Sequence, residues 1–144
     1  MWDYLRRSLG ARGFFLPLSG GADSASVAAI VASMARLVYN KAVVEKDKEC
    51  LADLRRIVRK PKFMPRNFQE IISEIFVTCY LGTKNSSRDT LDRADRVAKG
   101  IGAHHFPVTI DDTYKEVIEL FKRSTGKVPR FCSQGGTYTE DLAL

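Results

Sequence analysis

Cysteine and histidine are scarce in this chain of 144 residues, with three of the first and two of the second. Cys50, Cys79 and Cys132 lie far apart and form no Cys-x-x-Cys pair. That spacing gives no metal knuckle and argues for reduced thiols in a reducing compartment. The two histidines are neighbours, His104 and His105. A strand sends adjacent side chains to opposite faces, so a single site cannot use both. Either one of them approaches a ligand, or both are ordinary residues at the start of a strand. No uninterrupted apolar run reaches the ~18 residues of a membrane span. No charged-then-apolar leader precedes Trp2. The expectation is a cytoplasmic protein that needs no membrane. Internal repeats and low-complexity stretches are also missing.

Charge is plentiful. The net charge is +6, with 44% hydrophobic and 28% charged residues, an ordinary balance for a globular domain. The excess of positive charge suits anionic ligands such as nucleotides. The densest basic cluster is Arg55, Arg56, Arg59, Lys60 and Lys62. A nucleic-acid patch or a solvated helix end could produce it, and the intermixed acids favour the second. No nucleic-acid partner is expected.

Periodicity divides the chain into alternating elements. Trp2, Leu5 and Leu9 stand at helical spacing within residues 1–12. Phe14 to Leu18 reads as a buried strand, and 23–40 as a long helix with Val27, Ile30, Val31, Met34, Leu37 and Val38 on its apolar face. A charged helix over 44–59 carries Leu51, Leu54, Ile57 and Val58 as its stripe. Pro61 and Pro65 mark a loop. Asn67 is placed to cap a short helix over 68–74. Ile75 to Leu81 is rich in β-branched and aromatic residues and reads as a second strand. A helix over 86–100 follows, then a third strand at 104–110 that Pro107 confines to an edge. Asp111 and Asp112 stand at the start of a helix over 113–124, where their charge suits the helix dipole. Thr139 with Glu140 and Asp141 looks like the start of one more helix. Strand and helix in alternation predict an α/β fold, a doubly wound parallel sheet with right-handed crossovers.

One stretch stands out. The strand ends abruptly at Ser19-Gly20-Gly21-Ala22-Asp23-Ser24. Glycines let the backbone turn and approach a ligand, and the new helix offers unpaired N–H groups and the positive end of its dipole. Ser19 and Ser24 add hydroxyls. The result is an anion cradle, best suited to phosphate. It is not a Walker loop, since no Gly-Lys-Ser/Thr closes it, and Gly-x-Gly-x-x-Gly is absent. A carboxylate at Asp23 would repel a phosphate unless it held a divalent cation that bridges to it. The alternative is a plain strand–helix turn with Asp23 and Ser24 as caps.

Ser19 to Ser24 resembles the S-G-G-x-D-S loop of the ATP pyrophosphatases, which split ATP between its α and β phosphates. Further stretches resemble one family within that group, the synthetase region of the long eukaryotic glutamine-dependent NAD synthetases. They are residues 13–21, 33–38, 81–87, 101–105, 125–129 and 140–144, in the same order. The resemblance covers nearly the whole chain.

The resemblance implies a three-layer, Rossmann-like domain of which residues 1–144 are the N-terminal part. It also implies a nitrilase-like glutaminase domain upstream and a further half downstream, both outside this chain. The implied reaction is ATP-dependent amidation of deamido-NAD to NAD through an adenylate, releasing AMP and pyrophosphate, with ammonia derived from glutamine. ATP and Mg²⁺ would be required, full-length relatives would be homo-oligomers, and the segment alone would not complete the reaction. By the same resemblance Pro17, Leu18, Ser19, Gly20, Gly21, Ala22, Asp23 and Ser24 would bind ATP. Ser19 would grip the leaving pyrophosphate without acting as a covalent nucleophile, and Asp23 would hold Mg²⁺. Tyr80, Leu81, Gly82 and Thr83, with Leu16 to Leu18, would flank the adenosine. Three rival readings remain open at this point. One is another ATP pyrophosphatase, GMP-synthetase-like or tRNA-modifying; another is a non-catalytic nucleotide-binding module; the third is a basic RNA-binding domain, whose affinity would depend steeply on salt.

Overall fold

The computed structural model describes residues 1–137. The helix expected from Thr139 lies outside the described residues. Strand β1 (Phe14–Pro17) pairs in parallel with β2 (Phe76–Gly82), in the register Phe14–Phe76, Phe15–Val77, Leu16–Thr78 and Pro17–Cys79. Strand β3 (His104–Thr109) joins on the other side of β2, giving the order β1-β2-β3. Parallel neighbours need crossover connections, and helices supply them. The alternating α/β architecture expected from the sequence is the one observed.

Side chains alternate along a strand, so the register decides which face each one joins. Phe14, Leu16, Phe76, Thr78 and Tyr80 share one face. Phe76, Thr78 and Tyr80 are buried there, and Phe14 and Leu16 pack against the core. Phe15 and Leu81, on the opposite face, are 61% and 48% exposed. The helices cover the first face. Helix α2 (Ala22–Tyr39) buries Ala28, Val31, Ala32, Met34, Ala35 and Val38 and packs on α4 (Phe68–Ile75) and α5 (Arg88–Ile101). The expected apolar face of α2 therefore splits. Val31, Met34 and Val38 enter the core, while Val27, Ile30 and Leu37 stay exposed. Small residues at the contacts, Ala28, Ala35, Ala94 and Ala98, are fully buried and allow the backbones to approach.

Helix α2 runs on into a π-helical turn, Asn40–Val44. Together they make 23 residues of mean hydropathy 1.5, long and apolar enough to cross a bilayer by length and composition. The expectation of no membrane-length apolar segment therefore holds for uninterrupted runs only. The packing of one face of this helix against α4, α5 and β1 is that of a core helix. The charged helix expected over 44–59 begins later, as α3 (Lys48–Val58), because Asp47 caps it by accepting from Cys50 N–H at 2.9 Å. Arg59 ends it in the left-handed conformation, φ 54°.

The first helix, α1 (Trp2–Arg7), is shorter than expected and stops at Ser8. Leu9 is 99% exposed and takes no part in its apolar stripe. Leu5 is fully buried, and Arg6 fastens α1 to α3 by donating to Asp53 at 2.7 Å and Glu49 at 2.9 Å. Burial of a leucine of this kind contributes ~1.5–3 kcal/mol, more than exposed ion pairs do. The basic cluster is partly spent inside this framework. Arg55 donates to the Phe63 carbonyl, Arg56 to the Arg6 carbonyl, and Lys60 pairs with Glu74.

Residues 1–108 form one compact unit, and the described residues from Thr109 onward form another. In the second, α6 (Asp111–Thr125) has Asp111 and Asp112 in its first turn and buries no residue. Tyr114 stacks on Phe131 with ring centroids 6.2 Å apart.

Candidate functional site

Parallel strands end together, so the segments after β1 and β2 meet at one edge of the sheet, where open α/β sheets bind ligands. Pairing continues one residue beyond β1, as Leu18 N–H donates to the Cys79 carbonyl at 2.7 Å. The chain then turns through Ser19 and Gly20. Gly20 has φ +79°, and a Cβ there would stand 2.2 Å from the Thr90 carbonyl oxygen. The position therefore accepts only glycine, for backbone shape and for space alike. It also brings the first turns of α2 and α5 side by side, with their positive dipole ends at the same edge of the sheet.

The loop is closed by its own hydroxyls. Ser19 N–H donates to Ser24 Oγ at 3.3 Å, and the two serine hydroxyls stand 3.1 Å apart. Gly21 N–H donates to Ser19 Oγ at 3.2 Å, and Ser24 Oγ–H reaches the Gly21 carbonyl at 3.3 Å. Ser19 and Ser24 thus meet across the turn and set its width. Gly21 occupies the N-cap of α2, and no side chain caps the helix. The plain capping role considered for Asp23 and Ser24 is not what forms. Intrahelical bonding begins at Ala25 N–H, which donates to the Gly21 carbonyl. The N–H groups of Ala22, Asp23 and Ser24 have no acceptor among the described residues. Unpartnered donors at a helix N-terminus are what an anion binds.

Asp23 is exposed and makes no hydrogen bond or ion pair among the described residues. A free carboxylate in water is a suitable ligand for Mg²⁺, which keeps most of its hydration shell and takes one or two protein oxygens. The described residues contain no group of three or more metal-ligating side chains. The donor set therefore fits a hydrated cation shared with a phosphate, and no closed protein cage.

The end of β2 is built differently from what the sequence suggests. The Tyr80 ring is 7% exposed and lies in the core, and its hydroxyl stands 2.7 Å from Thr90 Oγ1. Leu81 points to the opposite face of the sheet from Tyr80. Gly82 is buried, and a Cβ there would stand 2.7 Å from Tyr80 Cε1. Thr83 is exposed and opens a tight polar turn. Its N–H donates to Ser86 Oγ at 2.9 Å, and its Oγ1 accepts from Asn85 N–H at 3.2 Å. Ser87 then caps α5 through Asp89 N–H. Of the four β2-side residues expected beside the adenosine, Leu81 and Thr83 have exposed side chains at this edge, whereas Tyr80 supports it from inside; on the β1 side Leu18 is buried and Leu16 packs against the core. The contact of Thr90 with Gly20 and Tyr80 was not visible in the sequence. Its signal was spacing alone, three residues after the Ser87 cap.

The histidines lie at the start of β3, away from the loop that follows β1. His105 Nδ1 is 2.8 Å from the hydroxyl of buried Thr78. Its pKa is pushed down by burial, with Asp95 opposing and Lys99 adding to the shift. Cys50 and Cys79 are buried free thiols whose pKa values burial pushes up, so neither is a poised nucleophile.

No family model matches the chain. The glutamine-dependent NAD(+) synthetase of Dictyostelium discoideum is 48% identical over 145 residues, an alignment covering 100% of this chain and 20% of that protein. That of Bos taurus is 46% identical over 144 residues with the same coverage. The crystal structure of a glutamine-dependent NAD(+) synthetase from Cytophaga hutchinsonii aligns with TM-score 0.78 and 25% identity, covering 99% of this chain and 24% of that one. The chain spans about one fifth of the length of the curated relatives it matches.

Proposed function

Because the chain is homologous along its whole length to one segment of the glutamine-dependent NAD(+) synthetases, we propose that it carries the ATP-binding loop of ATP-dependent NAD formation from deamido-NAD. The observation that carries this reading is the loop from Ser19 to Ser24, where helix N–H groups and a neighbouring carboxylate have no partner among the described residues. In the proposed reaction the nicotinate carboxylate attacks the α-phosphorus of ATP, pyrophosphate leaves, and ammonia displaces AMP from the adenylate. The N–H groups of Ala22, Asp23 and Ser24 would hold the pyrophosphate end, with Ser19, Gly20 and Gly21 shaping the cradle. Such donors act most strongly where charge builds, on the leaving group, so they favour bond breaking over mere ATP binding. Ser19 serves through its hydroxyl dipole and not as a nucleophile, since no base stands beside it among the described residues. Asp23 would hold Mg²⁺, which when bound neutralises phosphate charge. Pro17, with Leu81 and Thr83 across the edge, would flank the adenosine, while Leu18 and Gly82 could do so only through their backbone, since both are buried. The cytoplasm, where Cys50, Cys79 and Cys132 stay reduced, is the proposed compartment.

The test uses this chain alone and a full-length synthetase carrying it in place of the corresponding segment. Mg²⁺-dependent ATP binding by the chain, with NAD, AMP and pyrophosphate formed by the full-length protein and abolished by Asp23→Ala, is the expected result. Stimulation of ATP cleavage by xanthosine monophosphate or tRNA, with none by deamido-NAD, would replace this reading with another ATP pyrophosphatase.

A further inference from the structure

We infer that Tyr80 and Thr90 are positioning residues for the pyrophosphate loop, acting through the contact between Thr90 and Gly20. The inference rests on the reading of Ser19 to Ser24 as an ATP loop. Proton counting fixes the direction of the bonds. A threonine hydroxyl has one proton, and Thr90 gives it to the Ser87 carbonyl at 2.7 Å. Thr90 Oγ1 therefore accepts from Tyr80, and the relay runs Tyr80 O–H to Thr90 Oγ1, then Thr90 O–H to Ser87.

Each end of this relay is anchored. The Tyr80 ring is held in the core and lies against the space that Gly82 leaves open at the end of β2. Ser86 closes the polar turn after β2, and Ser87 beside it caps α5. Between them, the Thr90 main chain packs against Gly20, so closely that a Cβ on Gly20 would overlap the carbonyl. The relay thus fixes the first turn of α5, and that turn is the wall on which Gly20 rests. The Tyr80–Thr90 hydroxyl pair is half-buried, and in a close-packed setting such a pair transmits small displacements instead of absorbing them. Removing one hydroxyl lets α5 shift, and the amide donors that follow Gly20 shift with it. Neither hydroxyl has to touch the ligand.

The test compares Tyr80→Phe, Thr90→Val and Thr90→Ser in the whole chain. Calorimetric titrations use inorganic pyrophosphate with Mg²⁺, ATP with Mg²⁺, and AMP, and the unfolding midpoint is measured beside them. Tyr80→Phe and Thr90→Val are expected to weaken pyrophosphate and ATP binding by about five- to tenfold, while Thr90→Ser keeps the relay and stays within about twofold. AMP, which lacks the pyrophosphate, is expected to bind all variants alike. Equal pyrophosphate affinity across the variants would overturn the inference, whatever the unfolding midpoint does. So would a loss shared equally by AMP, which marks general damage. Tyr80→Phe keeps the ring and decides the matter if Thr90→Val does not fold. A parent chain that binds none of the three probes overturns the ATP-loop reading and this inference together, whereas binding by parent and variants alike overturns the relay alone.

Discussion

His105 Nδ1 stands 2.8 Å from Thr78 Oγ1, and the same hydroxyl donates to the His104 carbonyl at 3.1 Å. With its proton committed there, Thr78 accepts from His105 Nδ1–H. Nε2 is then the bare nitrogen, and it is buried without a partner among the described residues. Charging the ring would place an N–H where nothing accepts it, which is why burial holds the pKa below the ordinary value of 6.5. The unfolded chain takes up this proton at a higher pH than the folded chain does. Stability from His105 is complete above the unfolded value and is lost as the pH falls through it toward the folded one. We expect the urea midpoint to fall between about pH 7.5 and about pH 5.5, and His105→Gln to flatten that slope. Asp47 and Glu70, whose carboxyls are held low by the N–H groups of Cys50 and Arg66, lose their contribution only at more acid pH. An unchanged slope in His105→Gln would place the titrating group elsewhere.

Two glycines separate shape from propensity. Gly20→Ala forces a side chain onto a backbone with φ +79° and into the Thr90 carbonyl. The expected cost is about 2–3 kcal/mol, with a loss of pyrophosphate binding of at least about tenfold. Gly100 lies inside α5 with nothing near its missing Cβ. Gly100→Ala is expected to stabilise the chain by about 0.5–1 kcal/mol and to leave binding unchanged. Thermal unfolding of both variants beside a pyrophosphate titration checks the contrast. A tolerated Gly20→Ala would mean that the loop has room the structure does not show.

Much of this arrangement was legible in the sequence because local signals agreed with the fold. The β-branched run at Phe76 to Leu81, the Asn67 cap on Glu70 N–H, and the glycine turn after Phe14 to Leu18 each name their own conformation. What stayed hidden depends on register and on partners distant in sequence. Nothing in Phe15 or Leu81 says that they face away from the helices; the pairing with β2 decides it. Tyr80 looked like part of a ligand edge because it stands at a strand end, yet parity turns it inward, where Thr90 takes its hydroxyl. Leu9 matched a helical stripe, but α1 had already stopped at Ser8. The exposed half of the α2 stripe shows the same limit: periodicity marks an apolar face without saying how much of it is covered.

Asp23 is the residue whose chemistry is most exposed to test, because a carboxylate and a phosphate cradle oppose each other unless a cation joins them. The N–H groups around it attract an anion, while its own charge repels one at short range. Asp23→Asn keeps the size of the side chain and removes the charge. If Asp23 holds Mg²⁺, the gain in ATP affinity on adding Mg²⁺ is expected to shrink by on the order of tenfold in the variant. Metal-free pyrophosphate is expected to move the other way and bind up to about fivefold tighter, since the repulsion is gone. These opposite signs distinguish cation binding from a structural role, which would weaken both ligands together. ATP titrations with Mg²⁺ and with a chelator, on parent and variant, measure both quantities. A variant with the parent's Mg²⁺ dependence would remove Asp23 from the metal site and leave the cradle to bind phosphate through its amides alone.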